Sequence, residues 1–220
     1  MVLLIMDLYL LMSEFFFIER KSKKINSPLI ILIHGYGSNE RDLFSLIDYF
    51  PNDAFVVSLR APLKLFNDSY AWYDIYLNGN KKFYDHKAAA LVRDELFKFI
   101  KNFSKNQNID SENITLIGFS QGAILSHAIS FSYPEKIKNI MALSGIVDVK
   151  IMKKTSLIPK TNIYISHGTN DNLIDYETSK ESLNFYTGND IEFKFESFEQ
   201  GHGINQQNLE SMMKWLKEKV

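Results

Sequence analysis

Five residues, Gly118-Phe119-Ser120-Gln121-Gly122, follow directly on the β-rich run Asn113-Ile114-Thr115-Leu116-Ile117. A Gly-x-Ser-x-Gly pattern between an apolar strand and a helix describes a sharp turn. That turn lifts a serine hydroxyl above the edge of an α/β sheet. The two glycines carry no side chain, so strand and helix can pack closely around it. Stripped of its flanks the pattern says little, and a plain βα turn is the competing reading. Here both flanks are present. A helical run containing Ala123, Ile124, His127, Ala128 and Phe131 follows, and Tyr133-Pro134 stops it.

The remaining chain repeats the same alternation. Strands are expected over residues 14–19, 28–33, 54–59, 137–143, 162–166 and 191–198. The run Pro28 to Ile33 is continuously apolar, which suits the middle of a parallel sheet covered on both faces. Asn39 is placed to cap a helix through Leu43, Leu46 and Ile47. Asp85 is placed to cap the longest helix, with Leu91, Val92, Leu96, Phe99, Ile100 and Phe103 at three- and four-residue steps. Further helices are expected from Tyr176 to Tyr186, ending at Thr187-Gly188, and from Asn205 or Gln206 onward. Residues 62–84 read as irregular, with Trp72-Tyr73-Asp74 and the turn Asn78-Gly79-Asn80. Strands alternating with helices imply one α/β domain over residues 14–220, mostly parallel, with helices on both faces of the sheet.

Composition removes several function classes. A net charge of −1 argues against a nucleic-acid binder. The basic cluster Arg20-Lys21-Ser22-Lys23-Lys24 reads as a solvated hairpin turn between two strands. With no cysteine, disulfides, a thiolate nucleophile and cysteine-ligated metals are excluded, and a cytoplasmic setting fits. Residues 1–13 form an apolar extension without a basic opening or a small-residue cleavage pattern, and Asp7 interrupts it. Neither a secretory signal nor a membrane span is therefore the expected reading. Translation starting at Met12 is the favoured reading of this segment, a membrane-surface anchor the alternative. No motif bears on oligomeric state.

A serine hydroxyl needs an adjacent base, commonly an imidazole held by a carboxylate. Of the five histidines, His34 shapes the loop His34-Gly35-Tyr36-Gly37, His86 and His127 sit on helices, and His167 ends a strand. His202 lies between two glycines after the last strand, free to reach the sheet edge, and is the better base. The acid should follow a strand between Ser120 and His202. Asp171 meets that requirement and Asp148 is its rival, whereas Asp175 reads as a helix cap. Charge on a carbonyl oxygen requires preorganised N–H donors. Gln121, directly after the serine, supplies one, and Tyr36, in the loop after an early strand, the other. That loop lacks both phosphate-binding glycine signatures, so nucleotide binding is a poor fit.

Six segments taken together resemble the phospholipase/carboxylesterase family of α/β-hydrolases, which includes acyl-protein thioesterases. They are residues 32–37, Arg60-Ala61-Pro62, Trp72-Tyr73-Asp74, Gly118-Phe119-Ser120-Gln121-Gly122, His167-Gly168-Thr169-Asn170-Asp171 and Gly201-His202-Gly203-Ile204. The resemblance implies an α/β-hydrolase fold with Ser120 as nucleophile, His202 as base and Asp171, rather than Asp148, as acid. It also implies oxyanion donors at Tyr36 and Gln121 and a substrate pocket lined near Trp72. Ala123 stands where the family often has a second glycine after the elbow. The short stretch between Pro62 and Asp85 leaves little material for a lid and suggests a shallow pocket for short-chain esters. The implied function is a serine carboxylesterase needing no cofactor or metal. An acyl-protein thioesterase or lysophospholipase is the alternative within the class, and a non-catalytic hydrolase-fold binding module the alternative outside it.

Overall fold

The computed structural model describes residues 15–79, 81–106 and 108–220. The N-terminal extension, read above as an alternative start or an anchor, lies outside the described residues.

Seven strands build the central sheet: β1 (Phe17–Arg20), β2 (Ser27–Ile33), β3 (Phe55–Leu59), β8 (Ile109–Phe119), β9 (Asn139–Leu143), β10 (Asn162–Gly168) and β11 (Lys194–Phe198). Their order is β1-β3-β2-β8-β9-β10-β11, and every pairing is parallel except β1 with β3. Two small hairpins, β4 (Leu63–Lys64) with β5 (Tyr70–Ala71) and β6 (Ile75–Asn78) with β7 (Lys81–Tyr84), order the stretch expected to be irregular.

Continuous apolar strands sort their side chains by the two-residue period. Leu29, Ile31 and Ile33 of β2 enter one core with Leu116 and Ile140, beneath α2 (His86–Asn106) and α3 (Gln121–Ser132). Ile30 and Leu32 enter the other with Ile117, Met141 and Leu143, beneath α1 (Arg41–Phe44) and α6 (Gln206–Lys219). The double burial read from Pro28 to Ile33 is what the sheet shows.

Three local expectations are corrected. The basic cluster Arg20 to Lys24 does not turn a hairpin, because β3 lies between β1 and β2. Arg20 instead donates to the carbonyls of Ile47 and Pro51, and Lys24 pairs with Asp53. The helix expected from Asn39 stops at Phe44, where the Ser45 hydroxyl bonds back to the Asp42 carbonyl, and a 3-10 turn (Ile47–Tyr49) follows. The helix from Tyr176 divides into α4 (Tyr176–Ser182) and α5 (Asn184–Thr187), where the Ser182 hydroxyl donates to the Ser179 carbonyl and accepts from the Val147 amide. Asp85 and Asp175 cap their helices as read, accepting from Lys87 and Ala88 and from Thr178 respectively.

Parallel strands bring their carboxyl ends to one edge. In register, Ile33 lies beside Gly118, Phe119 beside Leu143, Leu143 beside Ser166 and Gly168 beside Phe198. The loops bearing Tyr36, Ser120, Asp171 and His202 therefore leave the same edge, where ligands of open α/β sheets bind.

Candidate active site

Ser120 sits between β8 and α3 with φ 54° and ψ −113°, a left-handed conformation that costs a non-glycine residue about 1–3 kcal/mol. Its amide donates to the Leu143 carbonyl, and its own carbonyl accepts from Ala123 and Ile124, which fixes the turn from both sides. The flanking glycines are required by contact. A Cβ at Gly118 would lie 2.2 Å from the Gly122 carbonyl oxygen, and one at Gly122 only 1.9 Å from the Ile33 oxygen. Gly35 is close behind: a Cβ there would stand 3.2 Å from the Ser120 Cβ. The Gly-rich loop thus abuts the serine.

That loop is held from several directions. Ala61 N–H donates to His34 Nε2 (3.0 Å), and His34 Nδ1–H donates to the Gly35 carbonyl (2.7 Å), a neutral tautomer. Burial holds the His34 pKa below its ordinary value. The Trp72 indole N–H donates to the His34 carbonyl (2.8 Å), and the Gly37 amide donates to the Tyr70 carbonyl (2.9 Å). Arg60 grips the buried Glu40 with two bonds, 2.6 and 2.7 Å, and lies over the rings of Phe16 and Tyr70.

Gln121 has a task beyond its backbone. Its buried side chain donates to the Tyr73 carbonyl (2.8 Å) and accepts from the Trp72 amide (3.1 Å). Trp72, expected to line the pocket, is fully buried and does not border the cleft; its neighbour Tyr73 does. An indole needs a hydrogen-bond acceptor when buried, and the His34 carbonyl supplies it. The pairing of Gln121 with residues 72 and 73 carried no local signal, because it spans nearly fifty positions.

Asp171 and His202 meet. His202 Nδ1–H donates to Asp171 Oδ2 at 2.7 Å, leaving Nε2 as the ring's lone-pair nitrogen. Asp171 Oδ1 accepts the amides of Leu173 and Ile174, at 2.8 and 2.9 Å. Burial alone would push this carboxyl up; the Ile174 amide, the His202 ring and the Leu173 amide outweigh it and hold it low. His167, the other downstream histidine, is fully buried, with Nε2 2.8 Å from the Ile174 carbonyl and 3.2 Å from Asp171 Oδ2. It braces the acid loop, and burial keeps its pKa low. Asp148 does not pair with His202: it accepts the Tyr84 hydroxyl and the Lys150 amide and lies 3.5 Å from His86 Nε2. His127 is buried in α3 against the Tyr186 hydroxyl, its pKa lowered by desolvation to about 3.

Ser120, Gln121, Tyr36 and His202 border one cleft of about 870 Å³. Its walls are mainly apolar, with Ile75, Leu77 and Tyr84 of the β6–β7 hairpin facing Ile124, Ile146 and Leu173. Neither Lys nor Arg borders it among the described residues. The Phe119 ring packs on His202 at 4.9 Å between centroids.

The sequence profile of the phospholipase/carboxylesterase family matches residues 13–220. The chain belongs to that family. Members are serine hydrolases of the carboxylesterase type, and this α/β-hydrolase hydrolyses esters. It is 23% identical over 206 residues to the putative hydrolase MhqD of Bacillus subtilis, covering 90% of this chain and 96% of that one. It is 31% identical over 156 residues to acyl-protein thioesterase 1 of Candida albicans, covering 67% and 68%. Among solved structures, the Bacillus cereus carboxylesterase superposes with a TM-score of 0.81 at 23% identity, covering 97% and 99%. That likeness is one of fold. Among the described residues of this carboxylesterase-family chain, no helix is long and apolar enough to cross a membrane.

Proposed function

We propose that Ser120 attacks the carbonyl carbon of a carboxylic ester while His202 takes the hydroxyl proton. Asp171 orients the ring and stabilises the imidazolium that forms. The developing oxyanion is held by the backbone N–H groups of Tyr36 and Gln121. The Gln121 amide belongs to the first turn of α3, where backbone N–H groups have no intrahelical partner. His202 then protonates the leaving oxygen, and water releases the acyl group from Ser120 by the same steps in reverse. The observation that carries this reading is the Asp171–His202 bond at the mouth of the cleft that Ser120 also borders.

The acyl chain lies along the apolar cleft. Short chains follow from the short stretch between Pro62 and Asp85, which leaves little material for a lid; a second reading, acyl-protein thioesterase or lysophospholipase, is favoured by the cleft's volume of about 870 Å³. That volume lies near the upper end of the roughly 300–1,000 Å³ of small-molecule sites. A cytoplasmic setting is part of the same proposal and rests on the cysteine-free composition. A series of p-nitrophenyl esters of increasing chain length, run on wild type and Ser120→Ala, tests both readings. Ser120-dependent turnover peaking at short chains supports the carboxylesterase, and a peak at long chains the second reading. Turnover that survives Ser120→Ala sinks the assignment.

A further inference from the structure

A second cavity, of about 440 Å³, lies between α1 and the first turn of α6 and is also bordered by His202. It shares Asp42, Phe119 and His202 with the acyl cleft, so the two spaces meet at the ring. Leu43, Leu46 and Leu209 give it apolar walls, and Asn205 and Gln206 give it polar ones. We propose that this groove is the leaving-group subsite, and that it favours neutral or cationic alcohol and thiol portions over anionic ones. The inference rests on the esterase reading above and extends it.

A tetrahedral carbon on Ser120 Oγ carries an oxyanion, an acyl chain and a leaving atom. The oxyanion belongs at the Tyr36 and Gln121 amides, and the chain in the large apolar cleft. As the bond from carbon to the leaving oxygen breaks, that oxygen takes the proton His202 received from Ser120, so it must lie within hydrogen-bond reach of the ring. The substituent beyond it then continues past His202, where the groove opens.

Charge sets the preference. Apart from His202, Asp42 is the one ionisable side chain bordering the groove among the described residues. Its Oδ2 accepts the Ser38 hydroxyl at 2.6 Å, and no described Lys or Arg pairs with it. A unit positive charge about 4 Å from an exposed carboxylate gains roughly fivefold in water, and a negative charge loses as much.

Four butyrate esters test the proposal: methyl, choline, the uncharged 3,3-dimethylbutyl isostere of choline, and 2-sulfoethyl. Values of kcat/KM report acylation, the step that still contains the leaving group. In wild type the choline ester should exceed its neutral isostere about fivefold and the sulfoethyl ester should fall below it. Asp42→Asn should bring the three within about twofold. Gln206→Trp, a surface change that narrows the groove, should lower the dimethylbutyl ester at least fivefold relative to the methyl ester. An unchanged charge order in Asp42→Asn, or equal losses for methyl and dimethylbutyl esters in Gln206→Trp, overturns the subsite alone. Hydrolysis of all four that persists in Ser120→Ala overturns the esterase reading and the subsite with it.

Discussion

Asp171 and Asp148 both follow sheet strands, yet their surroundings assign them different work. Asp171 is held by two amides and the His202 ring, whereas Asp148 secures Tyr84 and a 3-10 turn (Val149–Ile151). Asp171→Asn should preserve the fold and lower kcat by roughly 10⁴, through a misoriented imidazole. Asp148→Asn keeps an acceptor for Tyr84 and should leave kcat within about twofold; a loss comparable to that of Asp171→Asn would reverse the choice of acid. The Asp171 environment also enters stability. Its folded pKa is lowered, so its contribution is complete above the unfolded value of about 3.9 and disappears as pH falls through the folded value. The difference in urea midpoint between wild type and Asp171→Asn should therefore be largest above about pH 5 and shrink towards pH 2. A difference that grows on acidification would contradict the sign.

Helix α3 meets the β9 loop through two small residues. A Cβ at Gly145 would lie 2.5 Å from the Ala123 Cβ and 3.2 Å from the Ser120 carbonyl oxygen. Ala123, where the family often has glycine, is thus accommodated by a missing side chain across the contact. Gly145→Ala alone should cost about 1–3 kcal/mol of overpacking. Ala123→Gly alone should cost about 1 kcal/mol in helix propensity. The double variant should recover at least about 1 kcal/mol relative to their sum, measured by denaturant unfolding. Additive losses would show that strain at Gly145 is set by the elbow backbone instead.

Across the whole molecule, the sheet is stable only with both faces covered. Ile30, Leu32, Met141 and Tyr164 share one core with Leu209, Met212, Met213 and Leu216 of α6. Fully burying a side chain is worth about 1.5–3 kcal/mol, so the four that α6 itself buries there contribute roughly 6–12 kcal/mol, comparable with the whole 5–15 kcal/mol margin of a typical domain. A chain ending at Gly203 retains Ser120, Asp171 and His202, but should lose its cooperative thermal transition and all ester hydrolysis. A sharp transition in that truncated chain would refute the dependence.

Local pattern determined the parts that depend on neighbours in sequence. The elbow glycines, the two-faced strand at Pro28 to Ile33, the caps at Asp85 and Asp175 and the long helix all follow from residues a few positions apart. The serine hydrolase class was legible too, because its motifs are short and ordered along the chain. Tertiary structure decided what depends on distant neighbours. It inserted β3 between β1 and β2, which removed the expected basic hairpin, since strand order is chosen by packing of whole faces. It buried Trp72 as a brace and put Tyr73 on the cleft, since a side chain's exposure depends on Gln121 and His34, far away in sequence. It also placed Phe119 and Asp42 between two cavities, a relation no single segment contains. Spacing along the chain encodes periodicity and motif, but the sides of a histidine ring exist only once the strands have met.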